Sequence, residues 1–296
     1  MQLAKRRLWA RRPNWTNGVA LAAIHVCALL AVIPAFFSWQ AVAAAAVLAY
    51  VTGAIGVTLG YHRTLTHRSL RLRWPLEHIV ATVGTLAMQG APIEWVATHR
   101  VHHAHSDHAG DPHTTRRGFT WAHIKWLIVK NRYVPSKEER ARHCPDLVAD
   151  PYYRALSYLS VPLQVALALV LLAIGGWSWV FWGVFVRLVY TYHTTWFVNS
   201  ASHWAGYRTY KTDDRSTNSW WVALVSFGEG WHNNHHAFPF SARHGLAWFE
   251  IDMTWWHIKV LQMLRLADRV RVPTKAMMER FAFQPVFVRR TVRSIR

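Results

Sequence analysis

The sequence predicts an all-α integral membrane fold, with four transmembrane helices in two hairpins and a cytoplasmic helical cap. Three observations lead there. Gly18–Gly60 and Ala155–Val186 carry no formally charged residue. The segments around them are rich in Lys and Arg, and the histidines gather beyond the apolar blocks rather than inside them.

A membrane span needs roughly 20 apolar residues, so the first block holds two spans. Its turn falls at Pro34–Gln40, with Trp39 at the interface. The second block continues past Arg187 to Val198 and also holds two, turning near Gly175-Gly176. Neither turn contains Lys or Arg, whereas the tail, residues 61–154 and the C-terminal third contain many. The positive-inside rule therefore puts both termini and the histidine segments in the cytoplasm, as in a bacterial inner membrane. The resulting order is a basic tail (1–17), hairpin one (18–60), a cytoplasmic segment (61–154), hairpin two (155–198) and a second cytoplasmic segment (199–296). Lys5, Arg6, Arg7, Arg11 and Arg12 make the tail an anchor, and the apolar run after it is too long for a signal peptide.

Composition agrees with this division. The chain has 296 residues, 52% of them hydrophobic, and a net charge of +19. Basic stretches beside uncharged ones point to a membrane surface and not to nucleic acid. Cys27 and Cys144 form no disulfide framework or zinc-finger pattern, which fits a reducing compartment. Leu76–Trp95 is apolar enough for a buried or interfacial helix, but Glu77, Pro92 and Glu94 argue against a further span. Asn131–Asp150 is charged and reads as a surface loop or helix, and Ala41–Ala46 as span filler.

The chemistry lies in the spacing of the 19 histidines. His62 and His67 follow the second predicted span, and His99, His102 and His103 form a second cluster. His232, His235 and His236 form a third, and Asn199 and His203 stand just beyond the fourth span. Offsets of three and four share one helix face, so each triplet can converge on a metal. An offset of five does not align on a regular helix, so His62 and His67 need a distorted turn or two separate metals. These nine histidines are too many donors for one metal and suit a di-metal site in the cap. Imidazole accepts iron, zinc, copper or nickel, so spacing alone does not name the metal. Asn199 can act through a water.

Glu94, Asp107, Asp111 and Glu229 lie near the clusters in sequence and are candidates to hold the second ring nitrogens. His25, His78, His113, His123, His143, His193, His244 and His257 fall outside the pattern and are expected to be ordinary structural residues. His105 and His108 are not assigned to the site.

The text around the clusters is specific. Gly60-Tyr-His62-Arg-Thr-Leu-Thr-His67, His99-Arg-Val-His102-His103 and Gly228-Glu-Gly-Trp-His232-Asn-Asn-His235-His236, with Asn199-Ser-Ala-Ser-His203, resemble the membrane fatty-acid desaturases. The likeness runs from about Gly53 to Pro273. Asp214-Arg-Ser-Thr-Asn218 and Ser241-Ala-Arg-His244-Gly245 are similar to the delta-9 acyl-lipid branch, which is stearoyl-CoA desaturase-like in its boxes. Animal acyl-CoA enzymes carry Arg-Asp just before the second box. Here the pair is Ala97-Thr98, which favours an acyl-lipid substrate over acyl-CoA.

The resemblance implies two iron ions, O2 as cosubstrate and a cis double bond placed in a saturated acyl chain. It also implies two electrons from a separate ferredoxin or cytochrome b5. The nine histidines would be the metal ligands, with no further catalytic residue. Ala43 and Ala46 are expected near the closed end of an apolar tunnel, where they would influence chain length. The competing expectations are a lipid hydroxylase or ketolase, whose product would gain oxygen, and a metal-handling membrane protein.

Overall fold

The computed structural model describes residues 12–283. Lys5, Arg6, Arg7 and Arg11 of the basic tail lie outside the described residues. The fold is all-α apart from one short strand pair. Helix α1 covers Trp15–Leu30, begun by the Asn14 side chain accepting from the Asn17 amide. Helix α2 runs Trp39–Thr66, capped by Ser38, and its second half, Val51–Thr66, is a wide π-helix. After a short strand, β1 (Arg71–Leu72), come α3 (Leu76–Thr85) and α4 (Pro92–His105). Residues 131–150 fold into two small surface helices, Lys137–His143 and Pro145–Ala149. Helix α5 (Pro151–Val180) leads through a π-helical stretch into α6 (Arg187–Ser200). The remainder holds α7 (Trp220–Val225), α8 (His232–Ala237), α9 (Met253–Met263) and β2 (Ala267–Asp268), which pairs antiparallel with β1.

Among the described residues, two continuous helical runs are long and apolar enough to cross a membrane, Trp39–Thr66 and Pro151–His203. Their outer faces expose Val47, Val161, Val165, Leu169 and Ile174, as a lipid-facing surface would. At 16 residues, α1 is apolar but shorter than these two runs.

The second run is folded back on itself. Gly176 has φ 67° and ψ −161°, a conformation open to glycine and not to a residue with a Cβ. Beyond it the arms lie side by side. Arg187 Nη2 donates to Gln164 Oε1 at 2.9 Å, and a Cβ on Gly183 would meet Leu171 at 2.8 Å. The turn at Ser38 meets this bend, since Ser38 Oγ and Ser178 Oγ are 3.2 Å apart and Phe36 packs on Phe181. Both charge-free turns therefore lie at one end of the molecule, away from the histidines.

Close helix approach positions the site end. A Cβ on Gly56 would stand 2.5 Å from the Gly84 backbone, so α2 and α3 touch main chain to main chain. The π geometry then carries α2 to His67, whose amide donates to the His62 carbonyl five residues back.

Arg63, fully buried, ties this helix end to the C-terminal third. It donates to Glu229 Oε1, to both oxygens of Asp252 and to the Ala242 carbonyl. Removing one partner of a buried ion pair leaves uncompensated charge in the interior. Arg63→Met is expected to cost about 3–5 kcal/mol of stability, read as a lowered thermal midpoint of the detergent-solubilised protein.

Candidate metal centre

Nine histidines converge into two groups. His62, His67, His99, His103 and His235 offer five nitrogens within 4.8 Å of one another. His102, His203, His232 and His236 offer four. Each element contributes for a geometric reason. On α4 the offsets of three and four put His99 and His103 towards one group and His102, on the same face, towards the other. On the single turn of α8, His232 and His236 go to the four-histidine group and His235 to the five. The awkward offset of five in α2 is resolved by the π-helix, whose wider turn brings His62 and His67 to ring centroids 4.8 Å apart.

Carboxylates fix the second ring nitrogens. His102 Nδ1 donates to Asp111 at 3.0 Å, His203 Nδ1 to Asp107 at 2.7 Å and His236 Nδ1 to Asp214 at 2.5 Å. His62 Nδ1 lies 2.7 Å from Glu229. With Nδ1 carrying the hydrogen, a neutral ring presents a lone pair at Nε2. The Nε2 atoms of His102 and His203 are buried and have no hydrogen-bond partner, and so is that of His67. His236 Nε2 faces His232 Nε2 at 3.0 Å, and His62 Nε2 faces His235 Nε2 at 3.2 Å. Three buried Nε2 atoms without a hydrogen-bond partner, and further ring nitrogens crowded within hydrogen-bond distance of one another, form a donor set that fits two metal ions.

Protonation agrees with this for most of the rings; at His102 burial acts downward, but Asp111, Asp107 and Asp214 outweigh it and hold the ring above the ordinary histidine range. Burial, reinforced by neighbouring imidazoles, holds His99, His103, His232 and His235 well below the ordinary histidine range, and therefore neutral. Burial also brings His236 down to about 4, against the pull of Asp214. For the carboxyls of Asp107, Asp111 and Asp214 burial acts upward. Their histidine partners and hydrogen bonds outweigh it, so all three remain ionised acceptors.

The remaining sequence candidates are placed as follows. Asp107, Asp111 and Glu229 meet the rings of His203, His102 and His62. Glu94 does not approach these rings through its carboxylate, which pairs instead with Arg140 at 2.6 Å on the wall of a cavity. Asn199 and His232 line the same cavity.

The cavity, about 680 Å³, is lined by Asn14, Asn17, Lys130 and Asn131 and by His62, His99 and His232. Gly53, Val57, Thr58 and Phe227 line it as well. Ala43 and Ala46 are not in this lining. They lie on the exposed side of α2, because the wall is made further along the helix, at Gly53 and Val57.

Three residues escaped the spacing argument. Asp214 is far from His236 in sequence, and only its place in the Asp214–Asn218 motif marked it. His244, expected to be structural, sits 3.1 Å from Glu229, with its ring 4.5 Å from that of His235. His113 stacks on His102 at 4.2 Å. Elsewhere His78 pairs with Asp150, and His257 with the Tyr50 hydroxyl. His25, His193 and His123 join one another through ring-nitrogen contacts of 3.1 and 3.0 Å, outside both groups. His105 and His108 are exposed, and Cys27 and Cys144 are free thiols.

Comparison with known proteins places the site in a family. The family model described as fatty acid desaturase matches residues 37–267. The sn-1 stearoyl-lipid 9-desaturase of Anabaena variabilis is 53% identical over 262 residues, covering 88% of this chain and 95% of the relative. The enzyme of the same name from Synechocystis is 49% identical over 266 residues, covering 90% and 83%. The icosanoyl-CoA 5-desaturase of Limnanthes douglasii is 43% identical over 272 residues, covering 92% and 76%. Apolar helices long enough to cross a membrane, two histidine groups suited to a pair of metal ions, and these similarities agree: the chain belongs to the fatty acid desaturase family.

Proposed function

We propose that the protein inserts a cis double bond at the delta-9 position of a saturated acyl chain carried by a membrane lipid. It would consume O2 and two external electrons at two iron ions held by the nine histidines. The observation that carries this reading is one cavity of about 680 Å³ lined by histidines of both groups and by a mainly apolar surface.

Two cyanobacterial relatives are named for stearoyl-lipid substrates and support the acyl-lipid choice, although the Limnanthes relative is named for a CoA ester. Ala97 and Thr98 are buried and uncharged, so they present no cationic contact for a coenzyme A head group.

An unactivated methylene has no acidic proton for a side-chain base to take. Bound iron supplies O2 reduction and hydrogen removal, chemistry beyond any amino-acid side chain. The protein's own residues supply position. Asp107, Asp111, Asp214 and Glu229 orient the rings and raise their basicity as donors. Asn199 completes the four-nitrogen group through a water, matching the five donors of the other. The acyl chain enters past the polar mouth, where Glu94 and Arg140 pair. It lies across His62 and His99, and its methyl end stops at Gly53 and Phe227. Those apolar walls exclude water while the chain is held.

For the membrane, we infer four crossings: α1, α2 and the two arms joined at Gly176. The turns at Ser38 and Ser178 carry no Lys or Arg, which supports a cytoplasmic histidine end with both termini on the same side.

Expression in a host lacking unsaturated fatty acids tests the reaction. A new delta-9 alkene is expected by mass spectrometry of the lipids, and none from His235→Ala. Persistence of the alkene in that variant removes the ligand assignment. Asp214→Asn keeps the shape but weakens the hold on His236, so iron retention against a chelator should fall about 10–100-fold. Phe227→Ala opens the far wall, and the product distribution by gas chromatography should move to longer chains.

A further inference from the structure

Beyond His67 the chain enters a ribbon that the proposed reaction leaves unused. Residues 68–73 lie antiparallel to 265–271. Arg71 is paired in register with Asp268, the Arg73 amide donates to Leu266, and the Arg271 amide donates to Ser69. The ribbon presents six exposed arginines: Arg68, Arg71, Arg73, Arg265, Arg269 and Arg271. Asp268 pairs with Arg71, and Asp146 is shared by Arg68 and the half-buried Arg100. Among the described residues, no carboxylate lies within ion-pair distance of Arg73, Arg265, Arg269 or Arg271. The adjoining groove also holds Glu77 and Asp150, but these are engaged by the Tyr153 hydroxyl and by His78. Six ribbon arginines and Arg100 stand against Asp146, Asp150, Asp268 and Glu77, which leaves the face net cationic.

Two further observations give this charge a purpose. Arg68, Arg265 and Arg269 occupy left-handed backbone, with φ of 47°, 59° and 50°. Glycine or asparagine would relax such turns, so arginine there comes at a cost in backbone strain. The second is contact with the metal centre. The Arg271 guanidinium donates to the carbonyls of His67 (2.8 Å) and Arg68 (2.5 Å). His67 belongs to the five-histidine group. A molecule resting on Arg271 is thus one hydrogen bond and one residue from a histidine of that group.

We propose that this arginine ribbon is the docking surface for a small acidic one-electron carrier protein, which delivers electrons through Arg271 and His67. The inference rests on the desaturase reading and adds the partner's entry point. The reaction is R–CH2–CH2–R′ + O2 + 2 e⁻ + 2 H⁺ → R–CH=CH–R′ + 2 H2O. Oxygen takes four electrons, two from the broken C–H bonds and two from outside. A one-electron carrier must therefore dock twice per turnover. Opposite charge speeds such encounters and makes them salt-dependent.

The test uses the full chain, iron-loaded, in phosphatidylcholine nanodiscs. Electrons come from an acidic [2Fe–2S] ferredoxin with its reductase and NADPH, from reduced cytochrome b5, or from dithionite-reduced methyl viologen, a small dye that needs no docking surface. In Arg73→Glu/Arg269→Glu the KM for whichever carrier drives the enzyme should rise at least about ten-fold, and its salt dependence should flatten. Turnover with methyl viologen should stay at the wild-type rate, and Arg73→Lys/Arg269→Lys should restore the carrier KM to within about two-fold.

An unchanged carrier KM overturns the proposal. So does an equal loss with methyl viologen, which would make the ribbon structural. A response to phosphatidylglycerol in the nanodisc with no change in carrier KM would assign the ribbon to anionic lipid instead. A wild-type enzyme that makes no alkene even with methyl viologen refutes the desaturase reading itself, a result distinct from all of these.

Discussion

A single buried carboxylate, that of Glu229, ties the His62 end of α2 to the C-terminal third of the chain. One oxygen lies 2.7 Å from His62 and 3.1 Å from His244, and the other takes the Arg63 guanidinium. Arg63 also grips Asp252, which caps α9 through the Trp255 amide and accepts from the His244 amide. The end of α2, the turn into α8 and the start of α9 therefore meet at one charge cluster. Isolated, each of these buried ions would carry a desolvation penalty of several kcal/mol. Together they are mutually compensated, and through Glu229 they hold the rings of His62 and His244.

The two nitrogen groups are unequal in their support. In the four-histidine group, His102, His203 and His236 each donate to an aspartate. In the five-histidine group only His62 has a carboxylate neighbour, and His99 instead stacks on Trp95. A carboxylate behind an imidazole makes it a stronger donor and partly offsets the charge of a bound ion. One site is thus rich in donor strength and the other in donor number, so two ions held here would differ in redox character.

Much of this was legible because it is periodic. Offsets of three and four announce a shared helix face, and charge-free turns announce themselves by composition. The pairing of His62 with His67 was half legible. The sequence demanded a distorted turn or two separate metals, and the π-helix supplies the distortion, with five-residue hydrogen bonds matching a five-residue spacing. Long-range electrostatics left no such trace. Nothing local shows that Asp214 meets His236, that His244 meets Glu229, or that Glu94 is drawn to Arg140. The position of the cavity wall was equally hidden. Ala43 and Ala46 have the small size expected of a tunnel end, but helix phase turns them outward. The wall falls at Gly53, which has no side chain to fill the space that the Phe227 ring occupies.

The same geometry gives the histidines two unlike surroundings. Helix α2 ends at His67, and its two flanks differ sharply. On one, Gly53, Val57 and His62 face the long cavity. Past its end the chain turns into the arginine ribbon, packed down by Leu70 and Leu72 against Leu59, Val80 and Ile258. By ending α2 in a π-turn of histidines and continuing it as a cationic ribbon, the sequence puts the cavity lining and the ribbon within a few residues of the same group of rings.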